Sequence, residues 1–265
     1  MRAVGVVLAV VLAVAALSVP GQPSTSAASS VRPRSVALAS GSPGSCQPGQ
    51  VLDLSSWKLT LPTGSSGAPT EILPVKLGNL VDSQFFQSTP DCDGVVFRAP
   101  VNGVTTKGSH YPRSELREMG GGGGNGAAAW SAGSGTHWMA VTEAFTTLPR
   151  GKSEVVGAQI HDDKDDVSVF RLEGSNLYVT DGNNPHYKLV TGNYQLGAVF
   201  EAAFLVTQNM IGAYYNGQLV AELDRPFSNA YFKAGAYTQA NCSNSPCSAD
   251  NFGETVIYDL ATGHS

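Results

Sequence analysis

The segment Ile211-Gly-Ala-Tyr-Tyr-Asn-Gly-Gln-Leu-Val-Ala-Glu-Leu223 reads as two β-prone runs joined by Asn216-Gly217. A two-residue hairpin turn needs positive φ at both central positions, which Asn and Gly tolerate best, so this is the strongest short-range hairpin signal in the chain. Working outward, further short β-prone runs separated by turn residues occur at Val95 to Val101, Trp138 to Leu148, Glu154 to His161, Val167 to Leu172, Leu177 to Thr180, Phe200 to Val206 and Thr255 to Leu260. With 30 glycines, 15 prolines and only 14% charged residues, the composition disfavours coiled coils and long amphipathic helices. The 265 residues, 42% of them hydrophobic, suffice for one sizeable core and do not require a second domain. The pattern predicts an all-β sandwich of antiparallel sheets.

Met1-Arg2 followed by the apolar run Val4 to Leu17 has the form of a secretory signal peptide. That run is too short to span a bilayer comfortably, and no other stretch is a membrane-span candidate. Small-residue cleavage sites follow Ala28 and Ala39, so the reading is a signal peptide over 1–28, with cleavage possible as far as 39, then a Ser/Pro/Ala/Gly-rich linker to 45 and a folded domain over 46–265. Export fits the four cysteines, Cys46, Cys92, Cys242 and Cys247, since an even count in an oxidising compartment usually means disulfides. Three pairings are possible. The turn-rich loop from Cys242 to Cys247 can close on itself, leaving Cys46 for Cys92. Zinc is a poor rival without a Cys-x-x-Cys spacing, and Cys46 lacks the upstream leucine of a lipoprotein signal.

The net charge of −5 offers no global field for nucleic acid or an anionic membrane, so a polyanionic ligand needs a local basic patch. The Gly120 to Gly124 run lacks the Gly-Lys-Ser/Thr ending of a phosphate loop and reads as a surface loop. Asp162-Asp-Lys-Asp-Asp166 lacks the glycine and terminal glutamate of a calcium loop and reads as a solvated hairpin turn.

Three segments yield polar faces when alternate residues are taken together. Arg113, Glu115 and Arg117 share one face of Arg-Ser-Glu-Leu-Arg. Gln159 and His161 share one face of Gln-Ile-His, with Ile160 opposite. Tyr231, Lys233, Gly235, Tyr237 and Gln239 share one face of Tyr231 to Gln239, backed by Phe232, Ala234, Ala236 and Thr238. Each alone is an ordinary half-exposed strand. Together they gather the residue types that bind carboxylates and move protons.

These three motifs, with the opening Asp53-Leu-Ser-Ser-Trp-Lys-Leu-Thr-Leu-Pro62, resemble polysaccharide lyase family 7, the alginate lyases, over roughly residues 50 to 262. The chain departs from the family's usual Val and Asn at Ala236 and Thr238, both on the face opposite Tyr237. The resemblance implies a β-jelly roll whose concave sheet forms a groove for alginate, a polymer of mannuronate and guluronate. It also implies β-elimination without metal or cofactor: the C5 proton is removed and the bond from C4 to the glycosidic oxygen breaks. In that scheme Arg113 and Gln159 offset the uronate carboxylate, neutral His161 accepts the proton, and Tyr237 protonates the leaving oxygen or itself acts as base. Glu115, Arg117, Tyr231, Lys233 and Gln239 form the substrate-binding set, with Glu115 orienting an arginine. Isoleucine between Gln and His implies a preference for guluronate-containing blocks. The expected enzyme is a secreted monomer with alginate as its partner and no nucleic acid or membrane.

Two rivals remain at this level. A glycoside hydrolase needs two carboxylates facing each other, and Glu115 between two arginines suits a structural role better than a general acid. A lectin-like binding module gives no reason to assemble a base and a proton donor beside an arginine.

Overall fold

A computed structural model describes residues 46–120 and 126–265. The segments read as a signal peptide and linker, and most of the glycine run, therefore lie outside the described residues. Fifteen strands follow in order: β1 (Trp57–Ser65), β2 (Ala68–Ile72), β3 (Phe86–Ser88), β4 (Val95–Pro100), β5 (Arg113–Glu118), β6 (Thr136–Thr147), β7 (Glu154–His161), β8 (Asp166–Glu173), β9 (Asn176–Asp181), β10 (Asn184–Thr191), β11 (Phe200–Thr207), β12 (Met210–Tyr215), β13 (Gln218–Asp224), β14 (Tyr231–Thr238) and β15 (Phe252–His264). They form a β-jelly roll sandwich of two antiparallel sheets. One sheet runs β10-β9-β8-β7-β14-β5-β1-β2 and the other β13-β12-β11-β6-β15-β4-β3.

The Asn216-Gly217 turn has φ of 50° and 74° and joins β12 to β13 with Tyr215 opposite Gln218, as the hairpin reading expects. Gln208 and Asn209 make the preceding turn with φ of 50° and 66° and no glycine, which is why that hairpin carried no comparable sequence signal. The runs absent from the sequence reading are chiefly edges: β2 and β10 flank the eight-stranded sheet, and each contains a proline, Pro69 and Pro185. Proline cannot donate to a ladder and is best tolerated at edges, so such strands look weak by pattern.

The core lies between the sheets, where Phe86, Phe97, Phe145, Phe170, Phe204 and Phe232 are the largest sealed side chains. Phe170 of β8 meets Phe204 of β11 across the interface at 5.1 Å between ring centres. Alternation puts Leu116, Ile160, Phe232, Ala234 and Ala236 inward. Thr238 also points inward and donates its hydroxyl to the Ala99 carbonyl at 2.7 Å, tying β14 to β4. What remains on the outer face of β5, β7 and β14 is the polar set.

The disulfides are Cys46–Cys92 and Cys242–Cys247, matching the expected pairing. The first ties the start of the described domain to the turn before β4, and the second closes the loop between β14 and β15.

Candidate active site

At the middle of the eight-stranded sheet, β14 pairs with β5 on one side and β7 on the other. Lys233 stands opposite Arg117 and Gln159, Gly235 opposite Glu115, Tyr237 opposite Arg113, and Tyr231 opposite His161. Three motifs far apart in sequence thus become neighbours through register alone.

The register contains one irregularity. Between Lys233 and Tyr237 β14 carries one residue more than β7 does between Gln159 and Val156, a β-bulge. Gly235 sits inside it at φ 142°, and a Cβ there would come within 2.6 Å of the Ser114 carbonyl oxygen. Only glycine fits this position.

Arg113, Arg117, Gln159, His161, Tyr231, Lys233 and Tyr237 line one cavity of about 300 Å³, with Lys58, Thr60, Glu71 and Ser109 among its other walls. Gln239 lies one residue beyond β14 and lines an adjoining cavity of about 210 Å³, with Tyr111, Arg171 and Asn183. Gln159, Asp166 and Tyr237 belong to both walls, so the two spaces meet over them.

Beneath this floor Glu115 is the electrostatic hub. Its side chain is fully sealed; one oxygen accepts from Gln159 Nε2, and the other meets Lys233 Nζ and, at 3.0 Å, Arg113. Burial alone would raise the carboxyl, yet Lys233 and Arg113 outweigh it and hold Glu115 below the ordinary carboxylate range. Glu115 thus has no surface with which to touch a sugar; what it holds is Arg113, Gln159 and Lys233. Since a carboxylate only accepts, Gln159 must turn its NH₂ downward, which leaves its carbonyl oxygen and one N–H for a ligand. Burial, then Arg113, pulls Lys233 down to about 8.

His161 has a fixed tautomer. Its Nδ1 is 2.6 Å from the Asp162 carbonyl and 3.0 Å from the Tyr231 hydroxyl; the carbonyl is the nearer and can only accept, so Nδ1 carries the proton and Nε2 keeps the lone pair. Tyr231 stacks on the ring with an interplanar angle of 15°, and Arg117 caps Tyr231 from 3.9 Å. Burial and the Lys233 ammonium push His161 down to about 4, so the ring is neutral at neutral pH.

The Arg113 guanidinium lies 3.8 Å over the Tyr237 ring, and Ser109 Oγ lies 2.9 Å from the Tyr237 hydroxyl. Among the described residues Arg113 Nε, Arg117 Nε and Gln239 Nε2 are buried donors with no acceptor. Buried donors are rarely left single.

Several neighbours were invisible to pattern reading. Ser109 and Tyr111 come from the loop before β5, where no periodicity exists to read. Asp166 begins β8, so the acidic run is only partly a solvated turn: Lys164, Asp165 and Asp166 line the larger cavity. Burial, then Asp165, raises Asp166 to about 6. Among the described residues no cluster of three His, Cys, Asp or Glu side chains could hold a metal ion.

A family model described as alginate lyase matches residues 52–264. The crystal structure of an alginate lyase from Corynebacterium sp. is 56% identical with a TM-score of 0.81, covering 83% of this chain and 98% of that one. AlgAT5, an alginate lyase of polysaccharide lyase family 7, is 42% identical with a TM-score of 0.79, covering 83% of this chain and all of its own. A curated alginate lyase from Klebsiella pneumoniae is 39% identical over 75 residues, a match spanning 27% of this chain and 24% of that protein.

Proposed function

Because the chain belongs to the alginate lyase family, as polysaccharide lyase family 7, we propose that it cleaves alginate by β-elimination in the groove over β5, β7 and β14. The observation that carries this reading is the state of His161: a neutral ring with its Nδ1 proton committed to a backbone carbonyl and Nε2 free to accept. A base of this kind operates at neutral pH without first losing a proton to solvent.

The remaining residues answer the difficulty of the reaction. The C5 proton of a uronate is weakly acidic while its carboxylate is charged, so the site must offset that charge as electron density builds on it. Arg113 and the free N–H of Gln159 supply this, held in place by Glu115. His161 Nε2 takes the C5 proton, the electrons form the C4–C5 double bond, the C4–O bond breaks, and Tyr237 gives its proton to the departing oxygen. Transfer of the proton from His161 back to Tyr237 through solvent restores the enzyme. Arg117, Lys233, Tyr231 and Gln239 hold neighbouring sugars.

Guluronate-containing blocks are the better substrate on this reading. In guluronate the C5 proton and the departing oxygen lie on opposite sides of the ring, so two groups from different strands, His161 and Tyr237, are needed. In mannuronate they lie on the same side and Tyr237 alone serves. Ile160 is sealed in the core and touches no sugar, so any influence on preference passes through sheet packing. The signal-peptide pattern and the two disulfides support export.

Purified protein incubated with alginate should generate ultraviolet absorbance from the conjugated double bond. Reducing ends without that absorbance would make it a hydrolase, and binding without either would make it a lectin.

A further inference from the structure

Ser109 lies on the loop between β4 and β5 and is half-buried. Its Oγ is 2.9 Å from Tyr237 Oη, accepts the Tyr111 N–H at 3.1 Å, and reaches the Tyr111 carbonyl only at 3.3 Å. The loop is anchored from outside, because Asn241 Nδ2 donates to the His110 carbonyl at 3.0 Å. Lys152 Nζ also donates to the Tyr111 hydroxyl, at 3.2 Å. Ser109 is therefore a hydroxyl held at a set place against the phenol.

We propose that Ser109 is the positioning residue for Tyr237, accepting its O–H before the reaction and donating to the phenolate once the proton has left. The inference rests on the reading of Tyr237 as proton donor. A serine hydroxyl has one donor and two acceptor positions. In the free enzyme Ser109 accepts from neutral Tyr237 and from Tyr111 N–H, and its own proton goes to the distant Tyr111 carbonyl; with substrate bound the Tyr237 O–H turns to the departing oxygen. When the Tyr237 O–H bond breaks and the proton joins the leaving oxygen, the phenolate can only accept. The Ser109 proton then has a charged partner at 2.9 Å in place of a neutral one at 3.3 Å. Hydrogen bonds to charged groups are worth more than neutral ones, so the gain falls mainly on the side of the transition state. Arg113 over the ring face and Ser109 at the oxygen together fix both the plane and the rotation of the phenol.

The test compares wild type, Ser109→Ala, Ser109→Thr and Tyr237→Phe on polyguluronate, following double-bond formation across pH. Ser109→Ala should lose about ten- to hundredfold in kcat with little change in KM, and the alkaline limb of its pH profile should move upward. Ser109→Thr should recover most of the rate. Unchanged kcat in Ser109→Ala, or a rise in KM alone, would overturn the assignment while an inactive Tyr237→Phe left the main reading standing. Full activity in Tyr237→Phe would instead overturn the reading of Tyr237. Should Ser109→Ala fail to fold, Ser109→Cys preserves the volume with a weak donor and must show the same kcat loss.

Discussion

At the scale of single residues, the proposed division between His161 and Tyr237 is open to a direct comparison. Tyr237→Phe keeps the ring under Arg113 and removes only the proton, so turnover on every block should fall by about 10²-fold or more while binding persists. A rise in KM with kcat spared would make Tyr237 a binding residue. His161→Ala should suppress cleavage of polyguluronate by a larger factor than cleavage of polymannuronate at the same pH and salt, and equal losses would remove the division of labour. The pH dependence of binding belongs to another residue. Asp166 is raised to about 6 by burial and Asp165 and faces the groove, so ionising it sets a negative charge against a polyanion. KM should therefore rise as pH passes upward through about 6, and in Asp166→Asn that step should vanish; a step that persists would assign it to another group.

At the scale of elements, the site depends on β14 being read in register by two neighbours at once. The alternation of Tyr231, Lys233 and Tyr237 was legible in the sequence because a strand's side chains alternate whatever the fold. So were Arg113, Arg117, Gln159 and His161, and the structure gathers all of them into one cavity. The bulge was not legible. Glycine on a polar face looks the same whether it fills space or bends the strand, and only the close approach to Ser114 tells which. Loop contributions such as Ser109 were hidden for a related reason: their place depends on long-range anchors like Asn241, not on local period. Gly235→Ala must push β5 and β14 apart or flatten the bulge, at a cost of about 1–3 kcal/mol. Because the bulge sets Tyr237 against Val156 while Lys233 stays opposite Gln159, kcat should fall even at temperatures where the variant remains folded. Wild-type kcat in a destabilised Gly235→Ala would show that the bulge serves packing alone.

At the scale of the whole molecule, one carboxyl buried between the two sheets is neither used by the proposed chemistry nor hydrogen-bonded to any described residue. Glu143 of β6 points inward in line with Val141 and Phe145, fully buried, and neither oxygen has a hydrogen-bond partner among the described residues. It fits because its neighbour on the other sheet is Gly157 of β7, where a Cβ would sit 2.5 Å from both oxygens. Desolvation pushes this group up to about 8 from an ordinary 4.5, so the folded protein holds it protonated. A group whose folded pKa is raised has its stabilising effect intact below its unfolded value and loses it as pH climbs towards the folded value. Between about pH 4.5 and 8 the unfolded chain releases this proton while the folded chain keeps it. Over that window the fold forfeits a few kcal/mol. Glu143→Gln replaces the carboxyl with a neutral amide of nearly the same shape, whose cost does not change with pH. The melting temperatures of variant and wild type, measured in parallel, should therefore lie close near pH 5 and separate by pH 8, the variant being the more stable there. Parallel curves across that range would mean that Glu143 titrates in the fold as it does in water, and that the junction between the sheets admits enough solvent to carry its charge.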